Sequence, residues 1–360
     1  MDYYGYYSSP QQELEGYLNG LFSRYRILDL QNEQVIRGVL NPRFAGMPEQ
    51  IRRALSSFPG RYTLETVEGE TWLTLSGGGV NRASAGDNWL LHLGLFLAAV
   101  VTTLLAGALR EGADILTRPS DIWLGAPFSG SIMLILLVHE LGHYFTARRH
   151  GMDVSLPYFI PMPPPFIFGT MGALIKMRSP MFTRRVLLDV GAAGPLAGFL
   201  VSLPIVIYGL MHSSWGTQAN GFFEPGHSIL FASLAEIILG PQPEGTILQM
   251  SPMAFAGWIG FFVTAMNLIP VGQLDGGHIG YALFGRRHTR IAYAFFAAML
   301  ALSFFWSGWL FWSLLIFLLI RVKHPPVLDE DVPLDMSRKL IGLACILVLA
   351  LTFMPVPVLE

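Results

Sequence analysis

The run 125–147, GAPFSGSIMLILLVHELGHYFTA, exceeds the roughly 20 apolar residues with which a helix crosses a bilayer, yet it carries His139, Glu140 and His143 near its end. Reading outward, the whole chain matches that first impression. Of its 360 residues 52% are hydrophobic and only 13% charged, against about 25% charged in soluble domains, which argues against a water-soluble globule. The net charge of −2 leaves no electrostatic footprint for a nucleic acid partner. A single cysteine, Cys345, excludes a disulfide framework and a thiolate metal cage within one chain.

The fold class expected is an α-helical multi-pass membrane protein with a small N-terminal α+β soluble domain. Residues 1–86 are polar enough to fold in water. Within them 48–58 reads as a short helix, 61–75 as a β-hairpin around Val67-Glu68-Gly69-Glu70, and 76–87 as a flexible linker. From Trp89 onward about seven spans are expected, near 89–109, 125–147, 187–210, 253–275, 290–306, 308–321 and 338–355. The domain plan is thus 1–86, a core at 87–290, and three further spans in 291–360.

Positive charge orients the spans. With the N-terminal domain in the cytoplasm, the cytoplasmic loops hold Arg148, Arg149, Lys176, Arg178, Arg184, Arg185, Arg286, Arg287, Arg290, Arg321, Lys323, Arg338 and Lys339, and the opposite loops only Arg110 and Arg118. The C-terminus then lies on the far side. No basic start followed by an apolar core opens the chain, so the expectation is an uncleaved protein of a prokaryotic inner (plasma) membrane. Two stretches fit no simple span. Residues 154–178 are apolar but broken by Pro157, Pro161 and Pro163-Pro164-Pro165, which predicts irregular backbone at membrane depth. Residues 228–239, with Glu236 inside, read as an interfacial helix, and the count of seven depends on their not crossing.

His139-Glu140-Leu141-Gly142-His143 is an H-E-x-x-H pattern. Residues i and i+4 share one helix face, so two imidazole nitrogens can meet one metal ion, with Glu140 beside them to act on water. Ionisable groups inside an apolar helix are costly unless paired or metal-bound, which favours function over a polar helix contact. A catalytic zinc needs a third protein ligand, and Asp275, Asp189 and His278 lie at a suitable depth. Asp275 leads, because Pro270 and the surrounding glycines can break the helix beside it. Asp189 follows an ordinary i,i+4 spacing from Arg185, and His278 would have to be folded back by the Gly276-Gly277 turn.

H-E-L-G-H at 139–143, followed by N-L-I-P-V-G-Q-L-D-G at 267–276, resembles the site-2 protease family of intramembrane zinc metalloproteases, which joins H-E-x-x-H to N-x-x-P-x-x-x-L-D-G. The resemblance covers about residues 89–290. It implies one zinc per chain held by His139, His143 and Asp275, with Glu140 as general base and acid and Asn267 near the substrate carbonyl. It also implies a sheet in 154–178 onto which an unwound peptide adds; Gly169 and Gly172 would then permit close approach or simply make turns. Gly194-Pro195-Leu196-Ala197-Gly198 resembles the small-residue span beside the family's site, with ordinary close helix packing as the plain alternative. The loop of about 42 residues between the third and fourth spans is too short for a PDZ domain, so the PDZ-less branch is the nearer likeness.

The function expected is hydrolysis of a peptide bond within or near the transmembrane segment of single-span membrane-protein substrates, with the lipid bilayer as the other partner. Three alternatives compete. A transmembrane metal transporter would be expected to show an inverted repeat, and none is evident. An inactive scaffold would keep the motif by descent. A different H-E-x-x-H membrane protease would more often use glutamate as third ligand, and Glu236 is poorly placed for that.

Overall fold

A computed structural model describes residues 18–30, 33–45, 61–67, 70–76, 87–178, 181, 183–217, 224–325, 327 and 333–359. The helix expected at 48–58, the hairpin's Glu68-Gly69 tip and residues 77–86 of the linker expected at 76–87 lie outside those residues. The chain divides into two compact units, Met1–Gly86 and Asp87–Glu360.

The first unit contains a four-stranded antiparallel sheet of β1 (Phe22–Leu30), β2 (Glu33–Leu40), β3 (Arg61–Val67) and β4 (Glu70–Ser76) in the order β1-β2-β4-β3. The expected hairpin is the β3-β4 pair, in register from Arg61 opposite Ser76 to Val67 opposite Glu70. Leu18, Phe22, Leu40, Leu73 and Leu75 form its core. Trp72 takes the guanidinium groups of Arg24 and Arg37 over its ring, at 5.5 Å and 5.3 Å.

The second unit is helical. It runs through α1 (Trp89–Arg110), α2 (Ala126–Arg149), α3 (Arg184–Met211), α4 (Ile229–Leu239), α5 (Pro252–Leu268), α6 (Asp275–Phe284), α7 (His288–Leu302), α8 (Gly308–Leu315) and α9 (Met336–Thr352). Side-chain caps start several of them, each accepting a backbone N–H that the helix leaves free: Asn88 on α1, Thr183 on α3, Ser228 on α4, Ser251 on α5 and Asp335 on α9. Among the described residues three helices are long and apolar enough to cross a membrane: Trp89–Arg110, Pro119–Arg149 (α2 with a leading 3-10 turn) and Arg184–Met211. The 11 residues of α4 extend only about 16 Å, half the hydrocarbon thickness.

The fourth expected span is shorter than read from the sequence. Pro270 has no N–H to continue the ladder and forces Ile269 into an extended backbone, φ −57 and ψ 124, so α5 stops at Leu268. Residues 269–274 form a loop, and α6 restarts the helix at Asp275. Helix α3 packs against α2, α5 and α6. Glycines make these approaches close: a Cβ on Gly142 would lie 2.6 Å from the Ala193 carbonyl oxygen.

The proline-rich stretch contains a two-stranded antiparallel hairpin, β5 (Tyr158–Pro161) and β6 (Thr170–Leu174). Its base is pinned to the start of α1. Asp87 accepts the Leu156 N–H at 3.1 Å and pairs with Arg178, and His92 Nδ1 lies 3.0 Å from the Pro157 carbonyl oxygen. Gly169 has φ +69, and a Cβ there would meet the Thr102 carbonyl oxygen at 2.5 Å, so turn and close approach coincide at this residue. Gly172 lies inside β6 rather than in a turn, and an added Cβ there would meet open space, so only its φ of +100 favours glycine.

Candidate metal centre

His139 and His143 occupy one face of α2, one turn apart, with ring centroids 4.9 Å apart. Asp275 approaches them as the first residue of α6, delivered there by the Pro270 break. The three facing atoms form a small triangle. His139 Nε2 is 3.2 Å from His143 Nε2, and the Asp275 Oδ2 atom is 3.5 Å from the first and 3.3 Å from the second.

Donors held about 2.0–2.1 Å from a tetrahedral ion lie about 3.3–3.4 Å apart, so all three edges of the triangle suit zinc. The chemistry of the donors agrees. His143 Nδ1 lies 2.8 Å from the Val190 carbonyl oxygen and donates its proton there, which leaves Nε2 as a lone pair. That lone pair, a carboxylate oxygen and a second imidazole nitrogen converge in a buried place, where only a cation or proton relieves their mutual repulsion. Among the described residues this is the one group of three or more such side chains that could hold a metal ion.

Glu140, 5% exposed, lies outside the triangle and against the backbone N–H of Ile175, just beyond β6. Asn267, in the last turn of α5, points its Nδ2 at His139 Nε2 from 3.3 Å. The five residues that the resemblance assigns to the site therefore meet in one place, although they come from three helices.

The other two ligand candidates are engaged elsewhere. Asp189 accepts from Arg338 Nε and Nη2 at 2.9 Å and 2.7 Å and from His150 Nε2 at 3.0 Å, so its main partner comes from α9 rather than from the expected Arg185. Arg185 Nε donates to the Pro333 carbonyl at 2.8 Å. His278 Nδ1 lies 2.8 Å from His324 Nε2. Glu236 is exposed near the end of α4.

The small residues of α3 lie directly on the histidines. A Cβ added to Gly194 would stand 2.0 Å from His143 Nε2, and one on Gly198 would stand 3.2 Å from His139. The close-packing alternative therefore has specific content, since what α3 packs against here is the pair of imidazoles. The Val190 carbonyl carries no sequence signature, because any residue type supplies a carbonyl.

Comparisons with known proteins supply a family. Residues 127–307 match the model of Peptidase family M50. A protein of Arabidopsis thaliana named probable zinc metalloprotease EGY2, chloroplastic, is 31% identical over 286 residues, covering 77% of this chain and 50% of its own length. Its namesake in Oryza sativa subsp. indica is 33% identical over 229 residues, 62% of this chain and 41% of its own. The Arabidopsis thaliana probable zinc metalloprotease EGY1, chloroplastic, is 32% identical over 246 residues, 64% and 43% respectively. The chain thus spans about half the length of the curated relatives it matches, or less. Their names give a chloroplast location, in which the expected inner (plasma) membrane finds no support. No solved structure matches.

Proposed function

The chain belongs to Peptidase family M50, and from that premise we propose that it is a membrane zinc metalloprotease cleaving single-span membrane proteins within or near their transmembrane segments, the chemistry of regulated intramembrane proteolysis. The observation that carries the proposal is the triangle of His139, His143 and Asp275, whose 3.2, 3.5 and 3.3 Å edges suit one zinc per chain. Zinc, when bound, acts as a Lewis acid and brings the pKa of its water toward ~7.

This chain's own residues supply the rest. Glu140, next in sequence to His139 and buried, takes the proton of the attacking water and returns it to the leaving amine. The Asn267 amide donates to the oxyanion that develops on the scissile carbonyl. A helical substrate has its carbonyls engaged, so it must unwind first. Among the described residues the β5-β6 sheet has two strands, to which an unwound peptide adds as a third, and Ile175, just beyond β6, has its backbone N–H on the Glu140 side.

Metal analysis of purified protein beside cleavage of a panel of single-span reporters tests the reading. One zinc per chain, with cleavage that a chelator abolishes, is expected; zinc without cleavage of any reporter points to the inactive scaffold. Within that assay Asp275→Ala is expected to lower zinc stoichiometry sharply, and Asp189→Ala to leave it near one, because the latter carboxylate serves Arg338 and His150. The reverse result moves the third ligand.

Topology belongs to the same proposal: seven spans, with residues 1–86 on the side that carries the loop arginines. A C-terminal phosphatase fusion is expected to be active only on the opposite side. A silent fusion overturns the seven-span arrangement.

A further inference from the structure

The N-terminus of α6 has little of its own to hold it. The helix is 10 residues long, its cap Leu274 makes no side-chain hydrogen bond, and Gly276 and Gly277 stand in its first turn. An isolated helix of this kind is marginal, so what packs against it decides where the Asp275 carboxylate points.

A strap from the C-terminal part of the chain does that packing. Arg321 is the one residue other than glycine with positive φ among the described residues, at 64°, a conformation that persists only when its surroundings enforce it. It faces Gly272, itself at φ +58, where an added Cβ would stand 2.0 Å from the Arg321 carbonyl oxygen. The Gly272 N–H then donates to the Val322 carbonyl at 2.9 Å.

Two residues on, His324 is 4% exposed and stacked on Tyr281 of α6, with ring centroids 4.7 Å apart. Its Nδ1 lies 2.5 Å from the Pro325 carbonyl oxygen and donates to it, so its Nε2 is a lone pair. His278 Nδ1–H, 2.8 Å away and one helical turn after Asp275, donates to that lone pair. The start of the loop is tied as well, since His288 Nε2 donates to the Pro270 carbonyl at 3.1 Å. Residues 321–324 lie outside the stretch 127–307 that matches the family.

We infer that His324 is a positioning residue for the metal centre: through His278 and the neighbouring grip of Val322 on Gly272, it fixes the first turn of α6 so that Asp275 faces both imidazoles. This rests on the zinc reading of the triangle above. His324 contacts His278, Tyr281 and Pro325 rather than a ligand atom, and its effect passes through the helix that carries the carboxylate.

The test uses the full chain in detergent, with zinc affinity measured by chelator competition and the visible spectrum of the cobalt-loaded protein as a second readout. His324→Ala is expected to weaken zinc about 10-fold, the usual size for an outer-shell partner, and to shift the cobalt bands. His324→Gln, whose amide oxygen accepts from His278 Nδ1–H, is expected to restore both. Asp275→Ala serves as the reference for a lost ligand and is expected to weaken zinc further. His324→Ala with parental affinity and spectrum, or His324→Gln no better than alanine, overturns the positioning role while leaving the zinc site standing. A parent and Asp275→Ala that bind zinc alike overturn the zinc site itself, and the inference with it. Should His324→Ala not fold, Tyr281→Leu removes the ring beneath His324; an affinity loss of the same sign supports the inference, and a folded Tyr281→Leu protein with parental affinity and spectrum overturns it.

Discussion

Replacing Glu140 by glutamine is expected to leave zinc bound at one per chain and to reduce cleavage of a single-span reporter by about 10²–10⁴-fold, the range that general acid–base catalysis spans. The two halves of that result come from separate features. Glutamine keeps the size of the side chain and an oxygen that can accept from Ile175, so the packing around a residue 5% exposed need not change. Glu140 is also not a member of the triangle that would hold the metal. What glutamine lacks is basicity: it cannot take a proton from water or carry one to an amine. Cleavage retained at the parental rate rejects Glu140 as the base. Zinc lost along with cleavage shows that the carboxylate supports the metal directly, and the division of labour proposed here then fails.

The second large effect is expected from a single methyl group. Gly194→Ala should weaken zinc by on the order of 100-fold, the upper end of what changes next to the ligands do, and cleavage should fall with it. Helix propensity alone argues for the opposite, since alanine in a helix interior is favoured over glycine by about 1 kcal/mol. Sterics outweigh it. The new Cβ would stand 2.0 Å from His143 Nε2, a separation that forces the imidazole or the whole of α3 to move. Gly198→Ala is the internal control, because its Cβ would lie 3.2 Å from His139 and the ring need yield only by tenths of an ångström. Zinc affinities measured for the two variants should differ by at least tenfold. Equal affinities would mean that α3 retreats at little cost and that the glycine cradle has no special role.

How far such features could be read from the sequence depended on whether their cause was local. Long apolar runs announce their helices, and α1, α2 and α3 fall close to the expected limits. Spacing within one helix is equally local, so H-E-x-x-H sets two imidazoles on one face before any tertiary structure is considered. Pro270 is legible as a helix breaker, but hydropathy continues across the loop and hides the end of α5 at Leu268. Strands β1 and β2 carry no such signal: the sequence between them, Gln31-Asn32, has no glycine or proline to announce a hairpin. The partner of Asp189 was out of reach for a different reason. Arg338 lies 149 residues further along the chain, and no periodicity links the two; only the packing of α9 near the start of α3 does.

The tether on His143 has a consequence for genetics. The imidazole is aimed by the oxygen of Val190, and every amino acid brings that same oxygen. An alanine scan through this turn would tick residue 190 as dispensable, and an alignment could show any small apolar letter there. Half of the histidine grip would thus depend on a position that neither method flags, and only a backbone edit such as an ester in place of the following amide, which weakens that carbonyl as an acceptor, would expose it.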